Sequence, residues 1–310
     1  MSTSIEEHAA LDSVSPLPTT VPVHEPTPER AARIEALTRV CVEELLDAFG
    51  LGWLGRGRRP IELLSRVPAK RLARQVATYD EIVGRSGLAE GAGWALERMV
   101  RRVAVDGREN VPLEGPLLLV ANHPGLADSL ALFAAVPRRD LRVVAAERPL
   151  LEALPNTSRY LMSVAPEPSS GRLGVIRSAV RHLERGGAVL TFPGGKIEPD
   201  PALLPGAIEA LERWSGSLEL FARLVPDLTV VPATVSGVLS PSALRNPLTL
   251  VRRRASDREW LAATLQMLTP ALRNVTTRVA FGRPAHAGEG EIMETVLGEM
   301  RRMIEHCERR

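Results

Sequence analysis

Lysine is almost missing from this 310-residue chain: of 39 basic side chains only Lys70 and Lys196 are lysines, and the rest are arginines. Cysteine is as scarce. Cys41 and Cys307 lie near opposite ends, without metal-type spacing or the density of a secreted disulfide scaffold, so a reducing, cytoplasmic setting is expected. No apolar run reaches the roughly twenty residues of a membrane span, which leaves peripheral contact with the inner membrane face as the association still open. A net charge of only +2 gives no overall footprint for nucleic acid. Internal repeats are missing, as is a Gly-x-Ser-x-Gly nucleophile elbow. His8, His24, His286 and His306 have no partner at metal-ligand spacing, and His182 sits among charged helix neighbours as a surface residue, so no metal is expected.

What is present is an ordinary globular mixture, 45% hydrophobic and 25% charged, enough to bury a sizeable core. Residues 1–29 carry acid and proline where a secretory leader would carry basic and then apolar residues, and are expected to be a disordered lead. Residues 30–102 read as a helical N-terminal subdomain. Ile34, Leu37, Cys41, Leu45 and Phe49 recur at spacings of three and four, one apolar stripe on a helix that the glycines at 50, 52, 55 and 57 end. Shorter helical stretches follow around 61–72 and 88–100. The stripe has two readings: it packs on the main body, or, extended by Trp53 and Leu54 and followed by Arg56, Arg58 and Arg59, it lies in a membrane interface.

Residues 103–310 change rhythm. Seven short apolar runs begin at Val103, Pro116, Leu141, Leu161, Gly187, Leu228 and Thr276, mostly separated by amphipathic segments near 129–136, 173–185, 208–224, 257–272 and 292–308. This predicts an α/β domain: a mostly parallel sheet of roughly seven strands flanked by helices. In such sheets ligands gather at the carboxyl ends of strands.

Two strand ends stand out there. "LLLVANHPGLAD" places His123 just past an apolar strand and Asp128 at the start of a helix. A carboxylate so placed can hold one imidazole nitrogen and leave the other free to take a proton. The competing reading makes Asp128 an ordinary N-cap and His123 a loop residue satisfied by backbone. "GAVLTFPGGKIEPD" ends a second strand in Phe192, Pro193, Gly194, Gly195 and Lys196. The glycine amides can form an anion-binding concavity, with Lys196 adding a compact charge for a phosphate. The plainer alternative is a glycine turn beside an exposed lysine. A Walker loop is excluded, because Leu190 and Ile197 stand where it needs glycine and Ser or Thr. A third strand, "LTVVPATVSG", ends similarly at Ser236 and Gly237.

Taken together these stretches resemble the glycerolipid and lysophospholipid acyltransferases that carry His-x4-Asp. "ENVPLEGPLLLVANHPGLAD" looks like the family's first block, including Asn122 beside the histidine. "FPGG" looks like its third block, usually Phe-Pro-Glu-Gly; "VVPATVSG" looks like its fourth, and "RVAFGRP" like its closing strand. The resemblance covers about residues 103–285 in matching order and spacing. It implies direct transfer of a fatty acyl group from a thioester of coenzyme A or acyl carrier protein to an acceptor hydroxyl, in phospholipid biosynthesis, with His123 as general base and Asp128 as its orienting partner. It further implies no resident cofactor, the acyl thioester being a co-substrate, and substrate contacts from Asn122, Phe192, Pro193, Gly194, Gly195 and Lys196. Two departures bear on the acceptor. Gly194 stands where the family usually has glutamate, and the second block's arginine falls near "APEPSSGRLG", where either Arg172 or Arg177 takes its place or both are exposed helix charges. The acyl chain is expected in an apolar groove ending near His123. A non-catalytic lipid-binding protein of the same fold, or a hydrolase releasing the acyl group to water, are the alternatives. "VRRRAS" from Val251 and the tail "HCERR" are either contacts for anionic head groups or a solvated face.

Overall fold

The computed structural model describes residues 27–53, 59–164, 171–288 and 291–309, without the side chains of Leu126, Gly171 and Arg172. Residues 1–26 of the expected lead, together with Leu54, Arg56 and Arg58, lie outside them.

The first helix, α1 (Pro28–Ala48), starts where the Thr27 hydroxyl accepts the Arg30 N–H at 3.3 Å and proline takes the first helical position. Its stripe turns inward: Ile34, Leu37, Cys41 and Leu45 are buried in the same apolar core as the sheet residues Leu117 and Leu119. The packing reading of that stripe therefore holds, and the membrane-interface reading of it does not. α2 (Arg59–Ser86) is longer than the short stretch predicted around 61–72 and runs through Pro68. Ala69, Ala73 and Ala77, at four-residue spacing and fully buried, form its close-approach face, since i and i+4 share one side of a helix. A short α3 (Leu88–Leu96) completes the helical layer. That layer is pinned by Asp80 on α2, which accepts from Thr157 N at 2.8 Å, Thr157 Oγ1 at 2.7 Å and Asn156 Nδ2 at 3.0 Å, and pairs with Arg33 of α1. Burial pushes the Asp80 carboxyl up, but these bonds outweigh it and hold it below the ordinary carboxylate value.

Among the described residues eight strands form one sheet in the order β1-β7-β6-β2-β5-β3-β4, with the two-residue β8 (Ala285–His286) pairing β6. The seven predicted runs appear as β1 (Arg102–Asp106), β2 (Leu117–Ala121), β3 (Arg142–Ala146), β4 (Leu161–Val164), β5 (Ala188–Thr191), β6 (Thr229–Ser236) and β7 (Thr276–Phe281). All pairings are parallel except those of β6 with β7 and β8. β2 is central, flanked by β5 and β6, and all five of its residues are buried. An uninterrupted apolar run is what a strand covered on both faces requires.

Side chains alternate between two cores. Leu117, Leu119 and Ala121 face one with α1, α2, α3 and α4 (Leu126–Ala135); Leu118 and Val120 face the other with α7 (Gly171–Leu183), α8 (Ala207–Ala210), α9 (Ser217–Leu224) and α12 (Ile292–Glu308). The helix expected over 208–224 is broken between α8 and α9 by a 3-10 turn, Trp214 in extended geometry, and Gly216. Two short helices, α5 (Pro149–Glu152) and α6 (Pro155–Ser158), link β3 to β4, while α10 (Pro241–Leu244) and α11 (Ala255–Leu268) fill the connection from β6 to β7. The chain leaving β2 goes to α4 on one face, and the chain leaving its neighbour β5 goes to α8 on the other. Where adjacent parallel strands send their loops to opposite faces, a crevice opens at their carboxyl ends. His123 and Phe192 sit there.

Candidate active site

β2 hands directly to the site. Asn122, buried beside it, grips β6 through both ends of its amide: Nδ2 donates to Val235 O at 2.9 Å and Oδ1 accepts from Val235 N at 2.7 Å. The next residue, His123, is thereby launched from a fixed point. Its Nδ1 lies 2.8 Å from Asp128 Oδ2. Asp128 is fully buried, whereas the His123 side chain is 26% exposed. Nδ1 is thus engaged toward the interior, and no partner holds Nε2 among the described residues.

Asp128 is not an N-cap. The N-cap is Gly125, and Asp128 stands three residues on, its Oδ2 accepting the Gly125 N–H at 2.8 Å as well as the imidazole. Its other oxygen accepts from Ser129 Oγ at 2.9 Å. A carboxylate in the first turn of a helix is favoured by the exposed N–H groups there, so one side chain both starts α4 and orients the histidine. The N-cap reading of this aspartate does not hold, although it does support the helix start from the third position while it holds the imidazole. The Phe192 ring covers the imidazole from β5, with centroids 4.6 Å apart and planes inclined by 31°.

Burial pulls the His123 pKa down, but the charge and hydrogen bond of Asp128, with a further contribution from the Glu198 charge, outweigh it and leave it above the ordinary 6.5. Glu198 was not among the sequence candidates. It is buried and reaches both the His123 main chain and Trp214. Burial pushes its carboxyl above the ordinary value against hydrogen bonds from Trp214 and His123. The available signal was the glycine at 194, a departure from the block that the stretch resembles, with a glutamate four residues later.

The glycine turn follows the plainer of its two readings, a turn beside an exposed lysine. The Gly195 N–H closes on Phe192 O at 3.0 Å, so it does not contribute to an anion cradle. Pro193 is buried and its carbonyl accepts the Ser215 N–H at 3.1 Å, whereas Lys196 points to solvent. Arg177 is exposed on α7 without a hydrogen bond or ion pair among the described residues, and the side chain of Arg172 lies outside them. Arg252 of the "VRRRAS" stretch pairs with Asp257 at 2.9 Å. Cys41 is buried and its thiol is pushed up to about 12, chiefly by desolvation and then by Glu44, which leaves it no nucleophilic role. Among the described residues no group of His, Cys, Asp and Glu is arranged to hold a metal ion, and no helix is long and apolar enough to cross a membrane. A cavity of about 480 Å³ lies over β6 and β7 beneath α12, lined by Thr234, Ser236, Arg278 and Met303 among others; it does not include His123.

A comparison with curated protein sequences finds no match. Among solved structures, the chain is similar to the crystal structure of the 1-acyl-sn-glycerophosphate (LPA) acyltransferase PlsC from Thermotoga maritima, at 16% identity and a TM-score of 0.44, over 90% of this chain and 97% of that one. Residues 102–236, which contain His123, Asp128 and the whole turn after β5, match the family model described as Acyltransferase. Over that segment, rather less than half of the chain, the protein is similar to the acyltransferases.

Proposed function

We propose that the protein transfers a fatty acyl group from a thioester, acyl-CoA or acyl carrier protein, to a hydroxyl of a lysophospholipid or other glycerolipid-like acceptor, with His123 as the general base. The observation that carries this reading is the His123 ring held at Nδ1 by a fully buried carboxylate at 2.8 Å and open at Nε2. Nε2 takes the proton of the acceptor hydroxyl as its oxygen attacks the thioester carbonyl. The C–S bond then breaks, and the departing thiolate recovers that proton from the imidazolium. Asp128 fixes the tautomer and balances the transient positive ring. No covalent acyl-enzyme is needed, in keeping with a Cys41 thiol too basic to ionise.

The substrates are amphiphiles, and one end of the helical layer supplies a surface for them. Trp53 is 80% exposed, and Leu63, Leu64 and Val67 at the start of α2 are 70–77% exposed, beside the exposed Arg59. Apolar side chains rimmed by a basic one suit the head-group boundary of a membrane. Peripheral attachment through this end, on the inner membrane face, completes the proposal.

The test is to incubate the purified protein with palmitoyl-CoA and mixed lysophospholipids and follow acylated product by mass spectrometry. Acylated lipid from the wild type, with a rate cut about 10²- to 10⁴-fold in His123→Ala, is the expected outcome. A rate unchanged by that substitution overturns the base assignment. Free fatty acid without acylated lipid identifies a hydrolase instead.

A further inference from the structure

We infer that Glu198 is a positioning residue for this site, clamping the main chain of His123 from the opposite loop, and that Gly194 is glycine because the clamp occupies the space of its side chain. The inference rests on His123 being the base.

The clamp closes on both polar groups of one peptide unit's residue. Glu198 N donates to His123 O at 2.8 Å, and His123 N donates to Glu198 Oε2 at 3.0 Å. The second carboxylate oxygen, Oε1, accepts from Trp214 Nε1 at 2.8 Å. Both oxygens therefore meet N–H donors, an arrangement that an ionised carboxylate satisfies and a carboxamide, carrying one acceptor and one donor, does not. Glu198 is only 6% exposed. A buried carboxylate is costly to keep unless it is fully hydrogen-bonded, so its retention at this spot calls for a reason. The reason in the geometry is that Asp128 can fix the ring of His123 only about its side-chain bonds; the Cα from which the ring hangs must be held separately. Asn122 holds one side of that Cα to β6, and Glu198 holds the histidine's own N–H and C=O.

Gly194 gives independent support. A Cβ built there would overlap Glu198 Oε1 and lie 3.0 Å from its Cδ. The backbone at 194 is not in the positive-φ region, so alanine is conformationally admissible and only the carboxylate excludes it. The missing side chain and the buried carboxylate are thus two halves of one arrangement. The charged groups facing this point are Asp128 and Glu198 around the imidazole and Arg213 near Glu198.

Four variants test it: Glu198→Gln, Glu198→Ala, Gly194→Ala, and Gly194→Ala with Glu198→Ala. The readouts are kcat and KM with palmitoyl-CoA and lysophosphatidic acid, and the His123 ring pKa by NMR, its resonance identified by its loss in His123→Ala. Glu198→Ala is expected to lower kcat about 10²-fold with KM little changed, the scale of a small misplacement of a reacting group. Gly194→Ala should do the same, yet the double variant should be no slower than Glu198→Ala alone, because the new methyl then has nothing to displace. Glu198→Gln should lower the ring pKa, because it removes a charge that raises it, and the loss in kcat with KM little changed is what a merely structural bond would not produce. Wild-type kcat and ring pKa in both Glu198 variants, or additive losses in the double variant, overturn the inference. Should Glu198→Ala fail to fold, Gly194→Ala alone decides by the same two readouts. The NMR arm needs no acceptor, so it separates a failure of the clamp from a failure of the acyltransferase reading, which the His123→Ala rate reports.

Discussion

The loops that leave β2 and β5 stand side by side at the carboxyl edge of the sheet and hold their polar groups in opposite ways. After β2 the organisation is local: Asp128 reaches back five residues to His123 and three to Gly125, and the helix it starts is part of the support. After β5 it is remote. Glu198 works on a residue 75 positions away, and Asp200, buried beyond it, accepts the N–H groups of Gly237 and Val238 at the end of β6, both at 2.8 Å. The first loop carries His123, the base in the proposed mechanism; the second ties the ends of β2 and β6 together around it. A proton-transfer site needs both, because orienting a ring is useless if the chain beneath it drifts.

This division predicts different losses on the two sides. The largest belongs to the β2 loop, where His123→Ala should cut acyl transfer about 10²- to 10⁴-fold while leaving the fold intact, measured by product formation and thermal melting. The β5 loop should show the reverse at Asp200. Replacing it with alanine strands buried N–H donors at Gly237 and Val238, each costing about 1–3 kcal/mol if unpaired, so the melting temperature should fall well before any kinetic effect is separable. Equal melting of Asp200→Ala and wild type would break the contrast. The smallest effect is expected away from both loops. Leu64→Glu with Val67→Glu at the exposed start of α2 should change stability by less than about 0.5 kcal/mol, yet reduce co-sedimentation with anionic liposomes; undiminished sedimentation would dismiss this end as the lipid contact.

The same contrast governs what could be read from the chain. The strands were legible because each is a short apolar run bounded by a change of rhythm, and β2 most of all, being covered on both faces. β8 was not, since two residues have no periodicity. The second half of α2 was hidden by a face made of alanines, which contribute packing without a strong apolar signal. His123 and Asp128 were visible as a pair within one turn of chain, though not the dual use of Asp128 as helix support. Gly194, Gly195 and Lys196 drew attention as unusual residues for an anion site, but the turn consumes the Gly195 amide and Lys196 faces solvent. The long-range hydrogen bonds of that loop come from Glu198 and Asp200, ordinary acids in sequence whose partners lie just past the ends of β2 and β6. Only folding brings them together.

The claim on which the account depends is that Asp128 holds Nδ1 so that Nε2 can accept the proton. The pH dependence of kcat/KM for the wild type against Asp128→Asn tests it most directly. A base must be neutral to act, and the His123 pKa is raised, so the wild-type rate should climb with pH through a midpoint above 6.5. Asp128→Asn removes a charge that raises it, so the account predicts a rate lowered about 10²- to 10⁴-fold and a midpoint displaced to lower pH. A variant that keeps both the wild-type rate and the wild-type midpoint would contradict it.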